Sequence, residues 1–334
     1  MKEAMYYKKL KDNIVQCQLC PRYCTIKPEE YGNCNARKNI KGTLYSMVYP
    51  NIAGPLAIDP IEKKPLYHFL PGSRALSFGT PGCNLHCKHC QNWQISQFKP
   101  EEIFTEKTEP KKIVEAAIKN NCQSISYTYT EPTIFFEYML ETAKLAKKEG
   151  IKNVIVSNGF INPEPQRELL KYIDAANIDY KGNNKFYHEQ CGAWLKPVQE
   201  TMIAIKKAGK WLEITTLIIP TLNDNMVDIK EMINFVLENL GTDVPWHFTA
   251  YFPAYRATQP PTPSTTLLEV RKLALDSGIK YVYAGNIPSG ETNSTYCPKC
   301  KKILIERVGF YVEKNNVKNS KCSFCKTDIA GVFE

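Results

Sequence analysis

The sequence predicts an α/β protein built as a partial (β/α)6 barrel, with small cysteine-rich metal-binding segments at both ends. Three observations carry this. Short apolar runs alternate with amphipathic stretches of helical length between Arg74 and Val282, the pattern of a parallel sheet with crossover helices. Eleven of the thirteen cysteines fall into three clusters, one before that region, one at its start and one after it. The chain of 334 residues holds one large α/β domain with appendages but is short for a full eight-unit barrel as well.

Strands are expected at Ala75–Phe78, Ser124–Tyr129, Asn153–Ser157, Ala175–Tyr180, Leu212–Ile219 and His247–Tyr251. Helices are expected at Lys111–Lys119, Thr133–Lys148, Glu164–Tyr172, Pro197–Ala208, Met226–Leu240 and Ser264–Asp276. Gly150, Gly209 and Gly278 stand where helices should end, and Pro110, Pro165 and Pro263 where they should start. The resulting division is 1–73 as a cysteine-rich lead-in, 74–285 as the barrel and 286–334 as a four-cysteine module. Each flanking cysteine segment is too small to build a core without a staple.

Composition is that of a globular protein, 43% hydrophobic and 23% charged, and no run of about 18 apolar residues is present to span a membrane. Met1–Leu10 mixes Lys, Glu and Tyr and lacks the apolar stretch of a secretory signal, so a cytoplasmic location is expected. There thiols stay reduced, and clustered cysteines read as metal ligands rather than disulfides. The formal charge of +9 comes from dispersed lysines, which favours a solvated surface over a nucleic-acid face.

The central cluster lies in PGCNLHCKHCQNW, where Cys83, Cys87 and Cys90 follow the first strand with spacing C-x3-C-x2-C. A cubane [4Fe–4S] cluster takes four thiolates, so three leave one iron open to a ligand. Zinc with His86 or His89 as fourth ligand is the alternative that this spacing leaves.

At the C-terminus, Cys297-x2-Cys300 and Cys322-x2-Cys325 bracket KILIERVGFYVEKN, which reads as a β-hairpin. That is a zinc-ribbon pattern with a closed structural site, a rubredoxin-like iron site having the same ligand logic. Near the N-terminus, Cys17, Cys20, Cys24 and Cys34 form a complete set of four, for zinc or for an accessory iron–sulfur cluster, with zinc slightly favoured. Cys122 and Cys191 have no partner in sequence. The first reads as a buried thiol and the second as an ordinary loop residue.

The central loop resembles the signature of the radical S-adenosylmethionine superfamily. The resemblance implies that Cys83, Cys87 and Cys90 hold a [4Fe–4S] cluster, that the open iron takes the amino and carboxylate groups of S-adenosylmethionine, and that one electron cleaves the sulfonium to a 5′-deoxyadenosyl radical. His89 stands where the family usually has Tyr or Phe, and by resemblance lies beside the adenine.

Polar residues gather at the predicted strand ends, where barrels carry their active sites. Glu131 in YTYTEP resembles the acid of the family's Gly-Gly-Glu-Pro element, which receives the amino group, although Tyr129 and Thr130 replace the glycines. A helix-capping role is the alternative for Glu131. Asn158 with Gly159, and Asp179 with Lys181, resemble elements of activating enzymes for glycyl-radical proteins. Lys181 can meet the methionyl carboxylate and Asp179 the ribose or amino group, the alternative being a plain ion pair. His247 either faces the ribose or is a satisfied structural histidine. A lone cysteine sometimes donates hydrogen in radical enzymes, and Cys191 is the candidate.

The motifs CQLCPRYC, GNCNAR, DPIEKKPLYHFLPG, VSNGF, IDYKG and IIPTLND, with the terminal ribbon, are similar to the AmmeMemoRadiSam-system radical enzymes, a group related to pyruvate formate-lyase activating enzymes. The resemblance covers nearly the whole chain. It implies a reducing donor such as ferredoxin or flavodoxin, companionship with Memo-type and AMMECR-type proteins, and hydrogen abstraction from an unidentified substrate; the two extra four-cysteine modules, as docking platforms for a macromolecule, favour a protein. A glycyl-radical activase, an RNA-modifying radical enzyme and a non-catalytic zinc-binding adaptor are the competing readings.

Overall fold

The structure, a computed structural model, describes residues 1–287 and 291–334. Its main sheet has eight strands: β1 (Ala57–Pro60), β2 (Arg74–Phe78), β3 (Ser124–Tyr127), β4 (Lys152–Ser157), β5 (Ala175–Asp179), β6 (Trp211–Ile218), β7 (Trp246–Ala250) and β8 (Val282–Gly285). They lie side by side in sequence order, β2 to β8 all parallel and β1 antiparallel to β2 at the edge. Six helices make the crossovers: α1 (Pro110–Lys119), α2 (Phe136–Lys148), α3 (Pro163–Leu169), α4 (Lys196–Lys207), α5 (Met226–Asn239) and α6 (Ser264–Asp276). This is the expected open α/β barrel of six units.

Two differences have physical causes. The sequence reading stops at six strands, whereas β8 adds a seventh parallel one. It has only four residues, and Tyr283 within it carries a hydroxyl that pairs with His68 and Thr295, so the apolar pattern is interrupted. The helix expected over 133–148 begins instead with a 3-10 turn, Pro132–Phe135, because the Glu131 side chain accepts from the Thr133 N–H and fixes a tight start.

The N-terminal lead-in does not stand apart from the barrel. Two three-stranded antiparallel sheets, one with Arg37–Ile40 at its edge and one centred on Val15–Cys17, send Ala4, Val15, Leu19 and Ile26 into the apolar core that holds Leu76 and Phe78 of β2. Arg37 pins this lobe by pairing with Glu137 of α2 in a fully buried ion pair and donating to the Met5 carbonyl at 2.8 Å.

The C-terminal segment forms the expected hairpin, β10 (Ile303–Val308) with β11 (Tyr311–Asn315), preceded by β9 (Thr295–Tyr296). It sits on Tyr67, Tyr281 and Tyr283 in a second apolar cluster. Buried Arg307 of β10 is its anchor. It donates to the Tyr67 carbonyl at 2.6 Å and the Thr295 hydroxyl at 2.8 Å, lies over the Tyr67 ring, and faces the Glu62 carboxylate at 3.4 Å. Among the described residues, no helix is long and apolar enough to cross a membrane.

His68 joins both parts, with Nδ1 2.7 Å from the Ala330 carbonyl and Nε2 2.5 Å from the Tyr283 hydroxyl. Burial pulls its pKa down from 6.5 to about 4. The unfolded chain therefore takes up a proton below about pH 6.5 that the folded chain refuses, so stability is full above that pH and is lost as pH falls toward 4. This group alone should cost about 3 kcal/mol across that window, seen as a fall in the urea midpoint that the His68→Gln variant does not share.

Candidate active site

The triplet loop leaves β2 through Gly79 and Gly82. A side chain at Gly79 would meet the Thr128 carbonyl at 2.4 Å, and one at Gly82, where φ is +93°, would meet the Cys34 carbonyl at 2.3 Å. Both glycines are therefore demanded by close backbone approaches. The Cys83 N–H donates to that same Cys34 carbonyl at 3.2 Å, and Cys90 N–H to the Cys87 carbonyl. Around the sulfurs, the Leu85 N–H lies 3.4 Å from Cys83 Sγ and the Ser96 hydroxyl 3.2 Å from Cys90 Sγ. Burial pushes the Cys83 thiol well above its ordinary value, with Glu131 adding to the effect, so its ionisation is tied to metal binding.

The triplet looks onto a cavity of about 890 Å³ at the C-terminal ends of the strands. That is enough for a nucleoside-sized cofactor with room beside it. Glu131, Asn158, Asp179, Lys181, His247 and His89 all line it, as the strand-end argument expects.

Their hydrogen bonds separate them. Glu131 is satisfied by its own fold, accepting from the Thr133 N–H and hydroxyl, the Ser157 hydroxyl at 2.8 Å and the Asn158 N–H at 2.8 Å. It caps the helix start and ties β3 to β4. Asn158 directs its amide at Cys83 Sγ (3.8 Å) and the Asn84 side chain (2.9 Å). Donors to cluster sulfurs orient them, so Asn158→Ala should weaken iron retention against a chelator by about ten- to a hundredfold.

Asp179 and Lys181 form a partly buried pair at 2.7 Å on the cavity wall. Burial alone would discharge Lys181, but Asp179 and the Cys87 thiol keep its pKa well above the ordinary value. A fixed ammonium facing the cavity suits a carboxylate ligand. His247 lines the same cavity, but its Nε2 is 2.6 Å from Glu213 and its ring stacks on Tyr283, which makes it part of the barrel's internal network.

His89 is buried beside Phe186, with ring centroids 5.5 Å apart, and its Nδ1 has no hydrogen-bond partner. Burial lowers its pKa to about 3, so the ring is neutral. A buried, neutral ring nitrogen on the wall of an adenosine-sized cavity is a site for a ligand donor. The cavity, the lysine and this orphan atom together fit S-adenosylmethionine beside a cluster on the triplet.

Cys191 is not on the cavity wall. It is the buried last residue of a helical turn, Tyr187–Cys191, and its sulfur lies within 4.8 Å of Cys87 and His89. Its carbonyl accepts from the His86 N–H at 3.0 Å, and its thiol donates to Cys87, lowering the latter's pKa. The loop residue expected from sequence is thus a brace behind the triplet. Cys122 is buried, as expected.

Sequence reasoning missed Lys64, Tyr67, Phe252 and Phe310, which also line the cavity. Phe310 arrives from the C-terminal hairpin turn, and no spacing in the sequence points to it. The ribbon cysteines close tightly, Cys297 Sγ to Cys325 Sγ 3.6 Å and Cys300 Sγ to Cys322 Sγ 3.8 Å. These match the roughly 3.8 Å edge of a tetrahedron of sulfurs about 2.3 Å from zinc.

An α/β barrel with three open cysteines at the head of its first parallel strand defines an iron–sulfur enzyme class. The Radical SAM superfamily profile matches residues 78–236. The Methanocaldococcus jannaschii protein MJ0808, described as uncharacterized, is 49% identical over 334 residues, 98% of this chain and 99% of that one. The pyruvate formate-lyase-activating enzyme of Clostridium pasteurianum is 25% identical over 171 residues, 50% of this chain and 70% of its own. In fold, the Streptococcus suis SuiB crystal structure bound to S-adenosylmethionine superposes with a TM-score of 0.52 at 17% identity, over 68% of this chain and 53% of that one. The chain belongs to the radical SAM superfamily and is an enzyme of it, which removes the non-catalytic adaptor reading.

Proposed function

We propose that this enzyme binds a [4Fe–4S] cluster on Cys83, Cys87 and Cys90 and S-adenosylmethionine in the adjoining cavity, and abstracts a hydrogen atom from a protein substrate. The observation that carries the reading is the triplet's opening onto a cavity walled by the Asp179–Lys181 pair and the unpartnered His89 Nδ1.

When bound together, the cluster and S-adenosylmethionine supply a 5′-deoxyadenosyl radical by one-electron cleavage of the sulfonium. The chain does the rest. Lys181 holds the methionyl carboxylate as a point charge, and Asp179 keeps that lysine charged and accepts from the ribose or amino group. His89 presents its free nitrogen to the adenine. Glu131 positions Asn158 through its backbone N–H, and Asn158 in turn orients Cys83. Barrel loops and the hairpin turn at Gly309 and Phe310 wall the cavity, and a substrate seated across its open mouth would complete the exclusion of water that would quench a radical.

A protein substrate is supported by the rim, where Phe252 and Phe310 are 50% and 41% exposed, and by relatives whose names are those of activating enzymes. The Memo-type and AMMECR-type companions implied by the sequence are the first proteins to try. Reduced, reconstituted enzyme should form 5′-deoxyadenosine, and deuterium should enter that product from a perdeuterated companion protein. No product sinks the radical reading. Product that stays unlabelled with every companion sinks the protein substrate.

A further inference from the structure

The four N-terminal cysteines take no part in the chemistry above, yet they converge. Cys17, Cys20, Cys24 and Cys34 line one small cavity with Arg37 and Ile134. What the cavity is built to hold can be judged against the chain's other two cysteine sites. The C-terminal ribbon closes to 3.6 and 3.8 Å between sulfurs, the spacing of a single tetrahedral ion. Among the described residues, two groups bring at least three potential ligand atoms within 4.8 Å of one another, the ribbon and Cys87–His89–Cys191. The N-terminal set is in neither. No three of its sulfurs therefore stand within 4.8 Å of one another, wider than the roughly 3.8 Å edge of a zinc tetrahedron, and four thiolates around one cavity are the ligand set of a cubane cluster.

Arg37 points the same way. It is 1% exposed, its guanidinium reaches 4.0 Å from Cys17 Sγ, and its Nε has no hydrogen-bond partner. Glu137 answers one end of the guanidinium, which leaves the Nε donor uncommitted beside the cysteine cavity. Four thiolates on a cluster carry net negative charge, and although Glu137 offsets the guanidinium's own charge, a spare N–H beside the sulfurs stabilises that negative charge and raises the cluster's potential.

The third observation is position. The Cys83 N–H donates to the Cys34 carbonyl at 3.2 Å, and Gly82 lacks a side chain where Cys34 presses closest. Arg22, also on this cavity, donates to the Asn84 carbonyl at 2.5 Å, inside the triplet loop. The two cysteine sites therefore share a wall one hydrogen bond thick.

We infer that Cys17, Cys20, Cys24 and Cys34 hold a second [4Fe–4S] cluster, which exchanges single electrons with the site at Cys83, Cys87 and Cys90. The relay role rests on the function proposed above, whereas the cluster itself does not. In each passage a reduced iron–sulfur or flavin carrier protein loses one electron, the N-terminal site gains and then passes it, and the triplet site gains it, so the N-terminal site ends unchanged. The zinc favoured on spacing alone is set aside here, because spacing in sequence says nothing of how widely the sulfurs stand.

The test leaves the N-terminal lobe intact. The C83A/C87A/C90A variant, reconstituted without oxygen, should keep half the wild-type iron and acid-labile sulfide and show one sharp electron paramagnetic resonance signal on reduction. Fully reduced wild type should show the broadening of two interacting spins. A variant with no iron and a second zinc overturns the cluster, and a wild-type spectrum that is the plain sum of two isolated signals overturns the electron exchange. If wild type forms 5′-deoxyadenosine while the variant is iron-free, only this inference falls. If the variant keeps its cluster while wild type forms no product, only the reading of the triplet falls.

Discussion

Replacing Cys83, Cys87 and Cys90 together by alanine is expected to reduce 5′-deoxyadenosine formation to the uncatalysed background, with the fold retained. On the proposed function the loss is total, because these three thiolates would be the whole protein ligand set for the cluster. Cys191 is near, but it sits behind Cys87 and off the cavity wall, so it cannot bring an iron into the space walled by Lys181 and His89. Retention of fold follows from the core, to which the loop adds only Leu85 and Cys87 while the strands and helices supply the bulk of it. Product assay after anaerobic reconstitution, with far-ultraviolet circular dichroism beside it, checks both halves.

The second large effect lies far from the triplet. Arg307→Ala should destabilise the protein by about 3–5 kcal/mol, because it leaves Glu62 as a buried carboxylate without its cation. Both side chains are fully buried, and burial already raises the Glu62 pKa against the pull of Arg307. The Tyr67 carbonyl and the Thr295 hydroxyl lose a donor as well. The double variant E62Q/R307M should recover part of the loss, since it removes both charges at similar volume. Urea unfolding of the two variants measures this. Because Arg307 anchors the hairpin whose turn carries Phe310 to the cavity, the single variant should also loosen that wall.

The regular part of the fold was legible in the chain, and the reasons are local. Strands such as Asn153–Ser157 and helices such as Ser264–Asp276 announce themselves by period and by punctuating Gly and Pro, and the structure moves their ends by a few residues at most. β8 was not legible, because four residues with a polar-tipped tyrosine carry too little pattern. The cavity-lining set of Glu131, Asn158, Asp179, Lys181, His89 and His247 was legible because a parallel barrel brings every strand end to one mouth.

What each of those residues does there was not legible. The four donors on Glu131 come from one other position on its own turn, Thr133, and from Ser157 and Asn158 at the end of β4, and the Glu213 partner of His247 comes from the neighbouring strand. Nor could sequence place Phe310 and Lys64 on the wall of one cavity, or Cys34 against Cys83, since these pairings join segments far apart in the chain. Ligand spacing has the same limit. Both terminal sets offer four cysteines, and only the distances between sulfurs tell a tight site from a wide one.

The central claim is that S-adenosylmethionine binds the iron that Cys83, Cys87 and Cys90 leave open. Electron–nuclear double resonance of the reduced enzyme with S-adenosylmethionine labelled at the amino nitrogen and the carboxylate oxygens tests it directly. The account predicts hyperfine coupling from both labels, absent in the C83A/C87A/C90A variant. A reduced, cluster-loaded enzyme that binds S-adenosylmethionine yet shows no coupling from either label would contradict it.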